Sequence, residues 1–230
     1  MPVHQHIRVT ADAVVLRFSS KEGMMVLLSK RSIPPHIFKW GLPGGFVHND
    51  EPLEDAVHRE IRDETGLKVN YLEQMRTWGH PERDPRGRIL CVAHLGLVKP
   101  STSKLILGAG NKEARWYSVK ELPATAFDHA DVIAGAIEHL RTRLRSEPLA
   151  FELLDPKFPV SELEKLYEWV YNRQIDRRNF QKKMHSLGLL SVQQEKLKHP
   201  LQGRPAQLYS FNRQKFQELK QKNGYIEIFS

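Results

Sequence analysis

Apolar positions along the chain change their spacing near residue 150. Up to about residue 125 they come in short runs broken by polar turns. Ala13–Phe18 and Met24–Leu28 are apolar, β-branched runs split by the polar turn Ser19–Gly23, which predicts two strands and a tight connection. Further strands are expected at Tyr71–Trp78, Ile89–Val98 and Ala114–Val119, the first two joined by a turn at Asp84-Pro85-Arg86-Gly87. A helix is expected over Pro52–Thr65, where Pro52 suits a first helical position and Gly66 suits the stop. A second long helix is expected over Ala130–Arg145. Helices flanking a mixed sheet give an α/β layered domain.

Three X-Pro pairs, Glu147-Pro148, Asp155-Pro156 and Phe158-Pro159, then interrupt helical periodicity. They divide the chain into an expected domain at 1–146, a linker at 147–158 and a second domain at 159–230. In that second part Ser161-Glu162-Leu163-Glu164 reads as a capping box, followed by Leu163, Leu166, Tyr167 and Val170 at helical spacing. A turn at Asn172–Ile175 leads to a helix over Asp176–Leu187, with Phe180, Met184 and Leu187 as its apolar stripe and Gly188 as its end. Two short strands, near Leu189–Val192 and Ala206–Phe211, flank a basic loop at Glu195–Pro205. Helix, turn, helix and hairpin outline a winged helix-turn-helix.

Composition narrows the class. The 230 residues are 40% hydrophobic and 27% charged, an ordinary globular balance. No run approaches the roughly 20 apolar residues of a membrane span, and MPVHQHIRV has no apolar signal core, so a cytoplasmic location is expected. The single cysteine, Cys91, excludes an intramolecular disulfide and a multi-cysteine zinc site. The net charge is +8, unevenly spread: residues 151–230 hold 14 basic and 9 acidic side chains, against 21 and 18 in residues 1–150. Between Arg173 and Arg204 there are eight basic residues and two acidic ones, which suggests a polyanion partner.

The helix at Pro52–Thr65 carries the strongest chemical signal. On a helical wheel Leu53, Ala56, Val57 and Ile61 fall on one side, with Glu54, Asp55, His58, Arg59, Arg62 and Thr65 on the other. Glu60 and Glu64 project within the apolar side and Asp63 lies at its border, so three carboxylates converge where the helix meets the domain. Ionised carboxylates in that setting need partners. A hard divalent cation such as Mg²⁺ or Mn²⁺ would supply one. A surface helix with Glu–Arg pairs is the alternative. Gly44-Gly45 just before it permits close backbone approach to a ligand, and Glu51 precedes the helix.

Gly45, Glu51, Arg59-Glu60-Ile61, Asp63-Glu64 and Gly66-Leu67 stand at spacings that resemble the Nudix box, with Asp63 where the family has Glu. The resemblance implies an α/β/α sandwich that cleaves a nucleoside diphosphate linked to another moiety. It implies Mg²⁺ or Mn²⁺ held by Glu60, Asp63 and Glu64, with Glu51 and Arg59 in support. Charge on the attacking and leaving oxygens would be neutralised by the metal. Glu64 and Glu113 are the candidates for the general base.

Two further clusters extend the likeness. Arg83, Arg86 and Arg88 surround a tight turn and could grip phosphate or a carboxylate, beside Gly44 and Gly45 as ligand-binding positions. On the Asp176–Leu187 wheel, Arg178, Gln181 and Lys182 lie opposite the apolar arc, flanked by Arg177, Asn179 and Lys183. Arg, Gln and Asn read base edges, and Lys meets phosphates. Lys196, Lys198 and Arg204 suit a wing over the DNA backbone. Together with Asp176-Arg177-Arg178-Asn179-Phe180 and Gly203-Arg204-Pro205-Ala206, these strings resemble the Nudix-related transcriptional regulators, NrtR-like, over essentially the whole chain. The resemblance implies a homodimer on a palindromic double-stranded DNA operator, repressing NAD metabolism genes and released by ADP-ribose. It also implies Mg²⁺-dependent ADP-ribose pyrophosphatase activity. The alternatives are an ADP-ribose pyrophosphatase with a non-DNA interaction tail, or a sugar-responsive Nudix-type regulator without turnover.

Overall fold

Short apolar runs bounded by turn residues become strands, and the amphipathic stretches become helices. A computed structural model of the chain describes residues 6–106, 113–197 and 205–229, excluding the side chains of residues 196 and 197. In chain order the described elements are β1 (Arg8–Ser19), β2 (Gly23–Lys30), β3 (Trp40–Gly41), β4 (Gly44–Phe46), α1 (Leu53–Thr65), β5 (Tyr71–Trp78), β6 (Ile89–Leu97), β7 (Ala114–Ser118) and α2 (His129–Arg143). There follow β8 (Phe158–Pro159), α3 (Val160–Tyr171), α4 (Arg177–Ser186), β9 (Leu190–Leu197), β10 (Ala206–Phe211) and α5 (Arg213–Asn223). Two compact units result, one of Met1–Arg17 with Met24–Ile137, the other of Phe18–Gly23 with Glu138–Ser230. No helix among the described residues is long and apolar enough to cross a membrane.

The first unit is built on a mixed sheet ordered β3-β2-β1-β6-β5, with β4 added to β1 and β7 to β2. β1 and β6 run parallel, from Arg8 opposite Ile89 to Leu16 opposite Leu97. β1 is buried on both faces, as a central parallel strand should be. Its Ala11, Ala13 and Val15 pack with Leu27 and with Ala56, Val57 and Ile61 of α1. Val14 and Leu16, on its other face, are also fully buried. α1 follows Pro52, which sits just outside the helix, and stops at Gly66, whose φ of 67° is the left-handed conformation that favours glycine. Thr65 departs from the expected wet side and is fully buried. Its hydroxyl donates to the Ile61 carbonyl at 2.6 Å and accepts the Leu67 N–H at 3.2 Å, which satisfies it inside the core.

The second unit joins α3, α4 and α5 to a three-stranded sheet ordered β8-β10-β9. Tyr167 of α3 meets Phe180 of α4 at 5.3 Å and Phe229 at 5.0 Å between ring centroids. Phe151 stacks on Phe211 of β10 at 4.1 Å. Asp176 caps α4 by accepting the Asn179 N–H at 2.9 Å. The expected capping box does not form: α3 begins at Val160 without a side-chain cap, and the Glu164 carboxylate is used by α4 instead. β8 and α5 have no counterpart in the expected outline. α5 is polar along its length and buries Phe216 as its one core residue, so it shows no apolar stripe. Residues 198–204 of the basic loop, with Lys198 and Arg204, lie outside the described residues.

Candidate functional site

The site forms where β4 runs beside β1. Their antiparallel register sets Gly44 opposite Asp12 and Gly45 opposite Ala11. A Cβ on Gly44 would run into the Asp12 side chain and backbone, and one on Gly45 into the Glu60 carboxylate. The paired glycines therefore let β4 pass between two carboxylates. Gly44, Gly45, Glu60, Arg83 and Arg86 line one cavity of about 200 Å³.

The acids of α1 separate. Glu60 lines the cavity, and its Oε1 accepts a hydrogen bond from Arg59 at 2.5 Å. Arg59 also donates twice to Glu51, at 2.6 and 3.0 Å. Those bonds hold the Glu51 carboxyl down at about 2. Glu64 is buried, and its Oε2 accepts the Ser29 hydroxyl at 2.5 Å. Asp63 does not converge with them. Its side chain is 57% exposed beside Arg62, because its place on the wheel border turns it to solvent. Among the described residues no three His, Cys, Asp or Glu side chains are arranged to hold a metal ion. Glu60 and Glu64, one helical turn apart, are oxygen donors of the kind a hard divalent cation takes, and of the two only Glu60 lines the cavity. Mg²⁺ is commonly held by one or two carboxylates plus substrate phosphates.

The three arginines of the turn also divide. Arg83 has a 3% exposed side chain and makes a bidentate pair with Asp128 at 2.7 and 3.0 Å. Arg86 pairs with the buried Asp84 at 2.6 Å and lies over the rings of Phe46 and Phe127, 5.1 and 5.5 Å from their centroids. Arg88 is not in the cavity lining, since its guanidinium donates to the Gly79 carbonyl. Glu113 is likewise not in the lining. It pairs with Lys30 at 3.0 Å and Arg115 at 2.6 Å, and the Lys30 hydrogen bond lowers its carboxyl.

The lining also includes Asp12, Arg31, Phe127 and His129, which were not among the expected site residues. Asp12 is a lone acid in an apolar strand, which is the one signal the sequence offers. Burial pushes its carboxyl up to about 6, against the opposing effects of Cys91, Arg83 and Thr10. Burial, together with the positive charge of Arg83, pushes His129 down to about 3, so it is neutral at physiological pH. Phe127 adopts a φ of 49° and places its ring 4.8 Å from Arg31.

In the second unit Arg177, Arg178, Asn179 and Lys182 are exposed along α4. Gln181 is not free to face outward. Its amide donates to the buried Glu164 at 2.7 Å, and Arg177 reaches the same carboxylate at 3.2 Å. Lys183 lies 3.7 Å from Glu227.

Known proteins share this plan. The NUDIX domain profile matches residues 6–136, and the NrtR DNA-binding winged helix domain matches residues 150–211. The ADPR responsive transcriptional repressor NtrR of Acinetobacter baylyi is 31% identical over 209 residues, covering 88% of this chain and 81% of that protein. The crystal structure of Shewanella oneidensis NrtR complexed with a 27mer DNA is 28% identical, covers 91% of this chain and 95% of that one, and superposes with a TM-score of 0.77. The NUDIX domain of S. oneidensis NrtR complexed with ADP ribose is 33% identical, covers 61% of this chain and 93% of that one, and gives a TM-score of 0.54.

Proposed function

This chain belongs to the Nudix family, in the NrtR-like branch that adds a DNA-binding winged helix domain, and from that premise we propose that it is an ADP-ribose-responsive transcriptional repressor. The observation that carries the reading is the pairing, in one chain, of a glycine-floored cavity lined by arginines with a helix that exposes Arg177, Arg178, Asn179 and Lys182. Residues 1–146 are proposed as the ligand-binding part and residues 159–230 as the DNA-binding part. Arg178 and Asn179 would reach base edges in the major groove, and Arg177 and Lys182 would neutralise phosphates. Two copies related by a two-fold axis would match a palindromic operator.

In the cavity, Arg31 and Arg86 supply positive charge for a diphosphate, and the glycines admit it close to the backbone. Glu60 and Glu64 would hold a divalent cation, which supplies charge neutralisation to the diphosphate when bound. Arg59 orients Glu60 through the hydrogen bond described above, and Glu51 in turn fixes Arg59. With Mg²⁺ the same site is proposed to hydrolyse ADP-ribose to AMP and ribose 5-phosphate.

The test is a gel shift with DNA from upstream of the chain's own gene, at fixed salt. Saturating ADP-ribose should weaken the complex, because a ligand shifts a balance only by its difference in affinity between the two states. An affinity unchanged by saturating ADP-ribose overturns the regulatory reading. AMP release with and without Mg²⁺ tests the hydrolytic one separately.

A further inference from the structure

The cavity of about 200 Å³ is smaller than the 300–1,000 Å³ that usually encloses a drug-sized ligand. It encloses part of a ligand the size of ADP-ribose, and its walls indicate which part. Its rings are already occupied. Phe46 carries the guanidinium groups of Arg8 and Arg86, and Phe127 those of Arg31 and Arg86, each 4.8 to 5.5 Å from a centroid. Such faces are poorly placed to stack an adenine.

Of the buried polar side chains in the lining, Arg83 and Asp84 are spent on ion pairs and Thr10 on Asp12, which leaves Asp12 and His129. Asp12 is 6% exposed, accepts the Thr10 hydroxyl at 3.3 Å through Oδ2, and turns Oδ1 toward Gly44. His129 is 5% exposed, and its Nδ1 lies 2.9 Å from the Leu42 backbone nitrogen. A backbone N–H can only donate, so Nδ1 is the acceptor and the proton sits on Nε2. The imidazole's acceptor is spent on Leu42, and Nε2–H is its donor. The cavity thus offers a fixed acceptor on β1 and a fixed neutral donor at the start of α2. A hydroxyl both donates and accepts, so a sugar diol satisfies both groups, whereas a phosphate would face the Asp12 oxygen.

We propose that this cavity is a pentose-phosphate subsite, in which Asp12 and His129 read the hydroxyls of the ribose outside the adenosine half while Arg31 and Arg86 take its phosphate. The proposal rests on ADP-ribose as the ligand, and it adds which half is enclosed and which residues select it. Both are specificity-determining residues, and neither needs to change its charge in that role.

The experiment is isothermal titration calorimetry of the full-length protein with ADP-ribose, ADP and ribose 5-phosphate, for the natural chain and for Asp12→Asn and His129→Gln. Each variant is compared with itself across ligands, so a general loss of folded protein cancels. The natural chain should prefer ADP-ribose over ADP, and each variant should narrow that preference by on the order of ten-fold, as expected for losing one hydrogen bond in a buried site. Ribose 5-phosphate should bind the natural chain and be weakened in both variants. If ADP-ribose binds but the preference over ADP survives both substitutions, the subsite is overturned and the ADP-ribose reading stands. If ribose 5-phosphate binds in a manner sensitive to both substitutions while ADP-ribose does not bind, the subsite stands and the ADP-ribose reading falls. Binding of neither ligand overturns both.

Discussion

Asp12→Asn should make the protein more stable near neutral pH, and the gain should vanish in acid. Asp12 is 6% exposed on β1, and burial raises its carboxyl from an ordinary 3.8 to about 6 in the folded protein. Between those values the folded chain holds a proton that the unfolded chain has released. The contribution of this group to stability is therefore greatest below pH 3.8, falls as pH rises toward 6, and is level above. At 1.36 kcal/mol for each pH unit separating the two values, the ionised carboxylate costs about 3 kcal/mol above pH 6. Asparagine keeps the shape and removes the charge. It also weakens the hydrogen bonds with Thr10 and Cys91, worth about 1 kcal/mol each, so a net gain of about 1 to 3 kcal/mol is expected at pH 8. Urea unfolding in EDTA, followed by tryptophan fluorescence at pH 4 to 8, measures it. Trp40, Trp78 and Trp116 all report from the first unit. A gain of equal size at both ends of the range, or a variant less stable at pH 8, would refute the reasoning.

Three further outcomes are expected. Arg83→Ala leaves the Asp128 carboxylate without its bidentate partner and should destabilise the first unit by about 3 to 5 kcal/mol in thermal or urea unfolding, with Arg83→Lys intermediate. Glu164→Ala removes the acceptor for Gln181 and Arg177 and should cost about 1.5 to 3 kcal/mol, together with weaker DNA binding in a gel shift; Glu164→Gln should be milder. Electron paramagnetic resonance of Mn²⁺ should show binding that tightens when ADP-ribose is added, since two carboxylates form an incomplete set alone, and Glu60→Gln should abolish the tightening.

Local patterns in the sequence anticipated most elements, because single stretches of chain decide them. Gly66 ends α1 where a left-handed residue is needed, and Tyr71–Trp78 and Ala206–Phe211 become strands with the expected bounds. The wheel of α1 correctly buries Ala56, Val57, Ile61 and Glu64. It fails for Thr65, whose hydroxyl is satisfied by its own helix, and for the supposed convergence of Asp63. What the sequence could not reveal depends on pairing across distance. Arg83 meets Asp128 forty-five positions away, and Leu42 meets His129 eighty-seven away, so no periodicity joins them. Gln181 was expected to face DNA because a wheel records direction from one axis and not the acceptor waiting on α3.

Arg59 is moored unequally. Two of its hydrogen bonds go to Glu51 and one to Glu60, so the guanidinium can let go of the second acid and remain berthed at the first. Until a guest arrives, it serves as a resident counterion for the cavity's rim. If a metal ion takes Glu60 as proposed above, Arg59 would yield that one bond and stay beside Glu51, so the rim would gain the ion's charge without losing the arginine.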